Sequence, residues 1–292
     1  MTLAERAAVM FVGGTPFSGA DAVAGVLGAH GDVAAVPVPA RFHSDPWGIP
    51  ALLNGRTGLE DFVAHLRAPE VAELVPPDTL DAAIAALRET YHADPLESCR
   101  ALFWALMPVI AGRDGARVLV DSSPGNLTEA QTLVRLVPHA RFVHVARDGR
   151  DVAAATCESD SGPRRMAPAL EWWAGGLREI ERGFRGEEDG APYAIPDERF
   201  ATVVLDELAS SDREATYRGL LDILSLDEDE RMRSAADTHL EAATTGRGRW
   251  HKHARGPGAW WLSRRYARTL GELEAEGNHA APPLITAYGR LG

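Results

Sequence analysis

The residues best suited to chemistry stand early in the chain. Gly14-Thr15-Pro16-Phe17-Ser18-Gly19-Ala20-Asp21 follows an apolar run and precedes a helical pattern, with its glycines spaced G-x-x-x-x-G. Glycines let a backbone approach an anion, and the free N–H groups of a helix start point toward it. Such a loop suits a phosphate-bearing ligand. A nucleotide-hydrolysing loop would continue with Lys and then Ser or Thr. Ala20 and Asp21 occupy those places, so there is neither a cation for a terminal phosphate nor a hydroxyl for magnesium. The competing reading is a tight strand-to-helix turn whose Asp21 favours the helix dipole.

The remaining reactive residue types are sparse. Cys99 and Cys157 are the only cysteines and form neither a metal spacing nor a disulfide framework, which fits a reducing cytoplasm. His251 and His253 flank Lys252, the single lysine, but further ligands are lacking, so no metal is expected. A net charge of −12 repels nucleic acid and anionic lipid. The expected partner is a small molecule, and an anionic one must be drawn in by a local basic cluster. The apolar run near the N-terminus is too short for a signal peptide or a membrane span. The oligomeric state is not readable.

The elements that must carry these residues alternate. Ala8–Val12 reads as a strand buried on both faces, 117–120 as a second and 141–145 as a third, with a short strand at 202–205. Helical spacing is read from residue 22 and over 59–67, 79–91, 101–112, 127–137, 170–184, 213–224, 228–242 and 266–276, with another helix beginning at 151. Residues 183–192 and 246–258 read as loops. Buried strands alternating with helices imply an α/β, P-loop-like three-layer fold with a mainly parallel central sheet and helices on both faces. No repeat or long linker divides the chain, so residues 1–292 are expected to form one domain.

One long stretch sharpens this. VPHARFVHVARDGRDV, residues 137–152, resembles the "FPDARFIHLVRDPRDVxxS" segment of sulfotransferases that use 3′-phosphoadenosine 5′-phosphosulfate (PAPS). That family's first loop, like GxxRSGTT, corresponds to Gly14–Asp21. ARFHSDPWGIPALLNGR (40–56), VVLDEL (203–208) and GRGRWHKH (246–253) resemble further family segments in family order. The resemblance implies PAPS as sulfuryl donor, no metal, and transfer to a hydroxyl or amine of a small metabolite, with a biosynthetic pathway as the expected setting. A repurposed enzyme of the same fold, or a non-catalytic binding protein, are the alternatives.

It also implies roles. Gly14, Thr15, Pro16, Phe17, Ser18, Gly19, Ala20 and Asp21 would hold the phosphosulfate end. Arg147 would grip the 3′-phosphate, a task its planar fork suits, unless it pairs with Asp148 or Asp151. Arg150 reads as structural. Arg247, Gly248, Arg249 and Trp250 would cover the nucleotide. His43 is the candidate base and substrate contact, because histidine exchanges protons near neutrality; a hydrogen-bonded structural histidine is the other reading. Asp121 would be a second base or a turn cap. Arg41 would orient an acidic acceptor or pair with Asp45. The chain departs from the family at the loop cation (Phe17), the Thr-Thr pair (Ala20-Asp21), the serine beside the arginine (Ala155), a glutamate (Pro39) and a lysine (Ser122). Thr156 lies next to Ala155, but one residue along a helix turns a side chain by about 100°. Lys252 is a candidate replacement for the missing cation. Trp172, Trp173, Trp260 and Trp261 are candidates for an aromatic pocket or for packing.

Overall fold

The computed structural model describes residues 8–113, 115–186, 195–210 and 213–289. Five strands, β1 (Ala8–Gly13), β2 (Val33–Ala35), β3 (Val118–Asp121), β4 (Arg141–Ala146) and β5 (Phe200–Val204), form one sheet in the order β2-β3-β1-β4-β5. Every neighbouring pair is parallel. Phe11 lies opposite both Asp121 and Phe142, so the C-terminal ends of β1, β3 and β4 finish close together. In parallel sheets of this kind that edge is where ligands bind.

Strand β1 shows why the sheet is buried on both sides. Its odd residues Val9 and Phe11 enter one core, and its even residues Met10 and Val12 enter the other. On the first face pack α2 (Ile49–Leu53), α3 (Leu59–Leu66), α4 (Pro69–Ala72), α5 (Pro77–Thr90), α6 (Pro95–Ala111) and α7 (Ala130–Leu136). On the second pack α1 (Ala20–Gly28), α10 (Leu205–Leu208), α11 (Glu214–Leu224) and α12 (Glu230–Thr244). A third core joins α8 (Gly149–Glu158), α9 (Met166–Arg185), α13 (Pro257–Ala275) and α14 (Ala281–Tyr288) through Val152, Trp173, Tyr266 and Leu284. Each such fully enclosed apolar side chain contributes about 1.5–3 kcal/mol.

The three-layer α/β reading is correct; several boundaries move. The helix expected from 127 starts at Ala130. Asn126 is drawn inward, its Nδ2 donating to the Val12 and Asp121 carbonyls, which holds the preceding turn out of helical form. The loop expected over 246–258 contains a 3-10 turn at Arg249–Lys252, and α13 begins at Pro257, where a proline fits a first helical turn. Strand β2 and helix α14 were not expected. Of the loop expected at 183–192, residues 187–192 lie outside the described residues and 183–185 complete α9. Among the described residues no helix is long and apolar enough to cross a membrane.

Candidate active site

A cleft of about 1180 Å³ opens over the C-terminal ends of β1, β3 and β4. Its floor is the loop Gly14–Asp21, all eight residues of which line it. The loop is tight. A Cβ on Gly14 would lie 2.4 Å from both the Val145 carbonyl and the Ser18 hydroxyl, so only glycine fits. The Ser18 amide donates to the Thr15 carbonyl at 3.0 Å. Gly19 then enters α1 at φ 90°, and no side chain caps that helix. The amides of Gly19, Ala20 and Asp21 find no acceptor among the described residues, which leaves the donor set that an anion needs.

Arg147 follows β4 and lines the same cleft. It is only 7% exposed. Its Nη1 donates to the Phe17 carbonyl at 3.3 Å, while Nε and Nη2 have no partner. Neither neighbouring carboxylate takes it. Asp148 caps α8 and holds the Arg150 side chain through three bonds, Nε to Oδ1 at 3.0 Å and to Oδ2 at 3.2 Å, and Nη2 to Oδ2 at 2.7 Å. Arg150 lies over the rings of Trp250 and Tyr266 at 4.7 and 4.8 Å, which is the structural role expected for it. Asp151 accepts from the Gly248 amide at 2.7 Å and the Trp250 amide at 3.1 Å. Burial pushes the Asp151 pKa up, against the pull of those two amides.

The C-terminal loop is thus fastened beside Arg147. A Cβ on Gly246 would lie 3.2 Å from Arg147 Nη2. Of Arg247, Gly248, Arg249 and Trp250, Arg249 alone lines the cleft, and it pairs with Glu158 at 3.3 Å. Arg247 is exposed, Gly248 is held by Asp151, and Trp250 is buried. Lys252 is exposed and does not line the cleft.

His43 and Asp121 do not reach the cleft; both side chains are fully enclosed. His43 Nε2 lies 3.1 Å from Asp121 Oδ2 and 3.0 Å from Asn126 Oδ1, both acceptors, so Nε2 carries the proton. The ring stacks on Phe11 and meets Phe42 and Phe103 edge-on. Burial alone would raise the Asp121 pKa; His43, the Ser123 amide and Asn126 reverse this and hold it below the usual range. As placed, His43 and Asp121 form a buried polar joint between the segment that follows β2 and the end of β3, whereas a base must touch its substrate. Arg41, also outside the cleft, pairs with Asp45 at 2.7 Å.

Beside Trp172, Trp173 and Ser122, which the sequence reading named, the cleft wall holds residues that it left out. Along α9, Trp172, Gly175, Gly176 and Glu179 share one stripe facing the cleft, with Trp173 and Ile180 beside it. Ser122, Pro124 and Thr128 lie on the β3 side, and Thr238, His239 and Ala243 on α12. Glycines interrupting an otherwise regular α9 pattern were the signal for that wall. Ala155 lines the cleft without a hydroxyl, and the Thr156 hydroxyl donates to Val152 O of its own helix at 2.9 Å. Trp260 and Trp261 stand outside the cleft, beneath Arg264 and Arg265. Among the described residues no group of His, Cys, Asp and Glu could hold a metal.

With unbonded loop amides and a buried guanidinium that keeps two unbonded nitrogens lining one cleft, the site fits a phosphate-bearing molecule. The chain belongs to the sulfotransferase family, whose sequence model matches residues 10–230. The sulfotransferase domain from the curacin biosynthetic pathway is 14% identical with a TM-score of 0.50, over 92% of this chain and 98% of that one. The sulfotransferase domain of the Synechococcus PCC 7002 olefin synthase is 17% identical with a TM-score of 0.49, over 79% and 77%. Sulfotransferase STF1 from Mycobacterium tuberculosis H37Rv is 16% identical with a TM-score of 0.44, over 82% and 76%. No curated protein matches the sequence.

Proposed function

We propose that this sulfotransferase is a single cytoplasmic unit that moves a sulfuryl group from PAPS to a hydroxyl or amine of a small metabolite. The observation that carries this is Arg147, whose Nε and Nη2 are buried at the cleft with nothing to bond. A buried cation with two donors left unbonded is costly unless a ligand supplies their partners. The 3′-phosphate of the nucleotide would do so, and the Gly14–Asp21 loop would receive the phosphosulfate end. PAPS, when bound, supplies the activated sulfuryl group. The chain orients it with the loop amides, covers it with Arg249, and excludes water along α9.

Titration calorimetry with adenosine 3′,5′-bisphosphate tests this. The wild type should bind in the micromolar range, and Arg147→Ala should weaken binding by about a hundredfold, the scale of a charge-assisted pair. Equal binding by the two proteins sinks the assignment.

A second reading has its own observation. Asp21 lines the cleft in the first turn of α1, where its carboxylate opposes an anion, and Phe17 and Ala155 offer no charge or hydroxyl. A family member that has exchanged PAPS for another reaction would show this pattern. Absence of bisphosphate binding to folded wild-type protein would favour it.

A further inference from the structure

Charge is unevenly spread along this chain. Between Glu241 and Glu272 stand seven of its 30 lysines and arginines and not one carboxylate. The other 23 share the rest of the molecule with all 42 aspartates and glutamates. The segment runs through the turn at Arg249–Lys252 and most of α13. Arg247, Arg255, Arg264 and Arg268 are exposed, and none of their side chains has an ion pair or hydrogen bond among the described residues. Trp260, Arg264 and Arg268 follow at four-residue intervals and form one stripe of α13, with the Arg264 guanidinium 4.8 Å from the Trp260 ring centre. Arg255 stands one turn before, its carbonyl accepting from the Ala259 amide at 3.4 Å. The opposite stripe, Leu262, Tyr266, Leu270 and Leu273, is buried in the third core. Helix α13 therefore shows solvent its cations and two tryptophans rather than an apolar groove.

This face borders the cleft at two places. Arg249, in the same segment, lines it. Arg265 of α13 bonds Glu171 of α9, the neighbour of the cleft-lining Trp172. The carboxylates at both places are already taken. Glu158 pairs with Arg249 at 3.3 Å and with His253 at 2.9 Å, and Glu171 pairs with Arg265. The charge that this face presents is thus uncompensated and positive, on a molecule whose total is −12. A nucleotide with two phosphates carries several negative charges and is repelled by such a total. Exposed charges add little to final affinity, because water screens each pair. Their field reaches about one Debye length, roughly 8 Å at physiological salt, and changes the rate of encounter instead.

We infer that this arginine face is the electrostatic entry to the cleft: Arg255, Arg264 and Arg268 draw the anionic donor nucleotide toward Arg249 and Arg147 and set its association rate. The inference rests on the PAPS reading for the identity of the ligand.

Stopped-flow mixing with adenosine 3′,5′-bisphosphate, followed by the fluorescence of Trp172 and Trp173 in the cleft wall, gives kon and koff separately. Two molecules that simply repel associate faster as salt screens them, whereas a steered pair associates more slowly. Wild-type kon should therefore fall as salt rises, although both reactants are anionic. Arg255→Gln/Arg264→Gln/Arg268→Gln should lower kon about tenfold at low salt, with koff and thermal melting unchanged and the gap closing at high salt. Arg67→Gln/Arg88→Gln/Arg117→Gln removes the same charge from exposed side chains that do not line the cleft, and should change kon by about twofold or less. A wild-type kon that rises with salt, equal kon in the two triple variants, or a loss confined to koff overturns the inference and leaves the face to another partner, such as an acidic protein. Failure of the wild type to bind removes the PAPS reading and the inference together, whereas binding with equal kon removes the inference alone.

Discussion

Phe17 holds a backbone conformation, φ 65°, that costs a bulky residue about 1–3 kcal/mol unless its surroundings enforce it. Here the Arg147 guanidinium grips the Phe17 carbonyl, so the strained loop and the anion-seeking arginine support each other. Asp21 works against them. Its carboxylate stabilises the start of α1 but repels an anion placed there. Asp21→Asn should therefore raise affinity for adenosine 3′,5′-bisphosphate by about two- to fivefold and cost about 0.3–1 kcal/mol of stability, as the same dipole interaction is lost. Calorimetry and denaturant unfolding read the two effects independently. The loop was legible from its glycine spacing, and Arg147 and Arg249 from the resemblance of their segments to those of the family. His43 and Asp121 were legible as a pair of chemically able residues but not as buried ones. Sequence places a strand end at the ligand edge; only packing decides whether its side chain turns toward the cleft or, as with Asp121, back under Asn126.

At the scale of elements, the pentapeptide from Arg147 to Asp151 joins β4, α8 and the loop before α13. Asp151 is its fastening point. Asp151→Ala removes the acceptor for two buried amides, each worth about 1–3 kcal/mol when left unsatisfied. Amide hydrogen exchange at Gly248 and Trp250 should accelerate, and bisphosphate affinity should fall about tenfold as Gly246 and Arg249 leave Arg147. Unchanged exchange would show that the Arg150 stack on Trp250 suffices to hold the loop. Helix α9 shows why part of the site was illegible. Glu179 on an amphipathic helix reads as a solvated charge, and nothing short of the close approach of Gly176 to Thr15, and of Gly183 to the Leu127 and Thr128 carbonyls, turns that face toward the cleft. Strand β2 is three residues long, too short to stand out from its surroundings, and the paired prolines that open α14 imitate a loop although a first helical turn accepts them.

For the whole molecule, folding stability should depend on His144 of β4. Burial, with His279 nearby, pushes its pKa from about 6.5 down to about 4. The unfolded chain takes up a proton below pH 6.5 and the folded one does not until about pH 4. Unfolding free energy should thus be full above pH 6.5 and fall as pH drops through that window, by up to about 3 kcal/mol. Urea unfolding across this range measures it, and His144→Phe should flatten the slope. Asp121 contributes in a lower range: its pKa is depressed by folding, so its share is present above the ordinary carboxylate value and lost only as pH falls through the depressed one. The parallel sheet itself was readable because buried strands are continuous apolar runs, whereas the third core, built by α8, α9, α13 and α14, joins segments whose partners no local pattern announces.

The C-terminal loop carries one more property. Lys252 is the only lysine in 292 residues, and it stands exposed in the turn that Asp151 holds beside the cleft. An amine-reactive dye, used where the side-chain ammonium is deprotonated, finds a single ε-amino group to modify. The protein therefore comes with its own attachment point for a fluorescent reporter, placed on the segment that Asp151 fastens beside Arg147 and requiring no engineered cysteine.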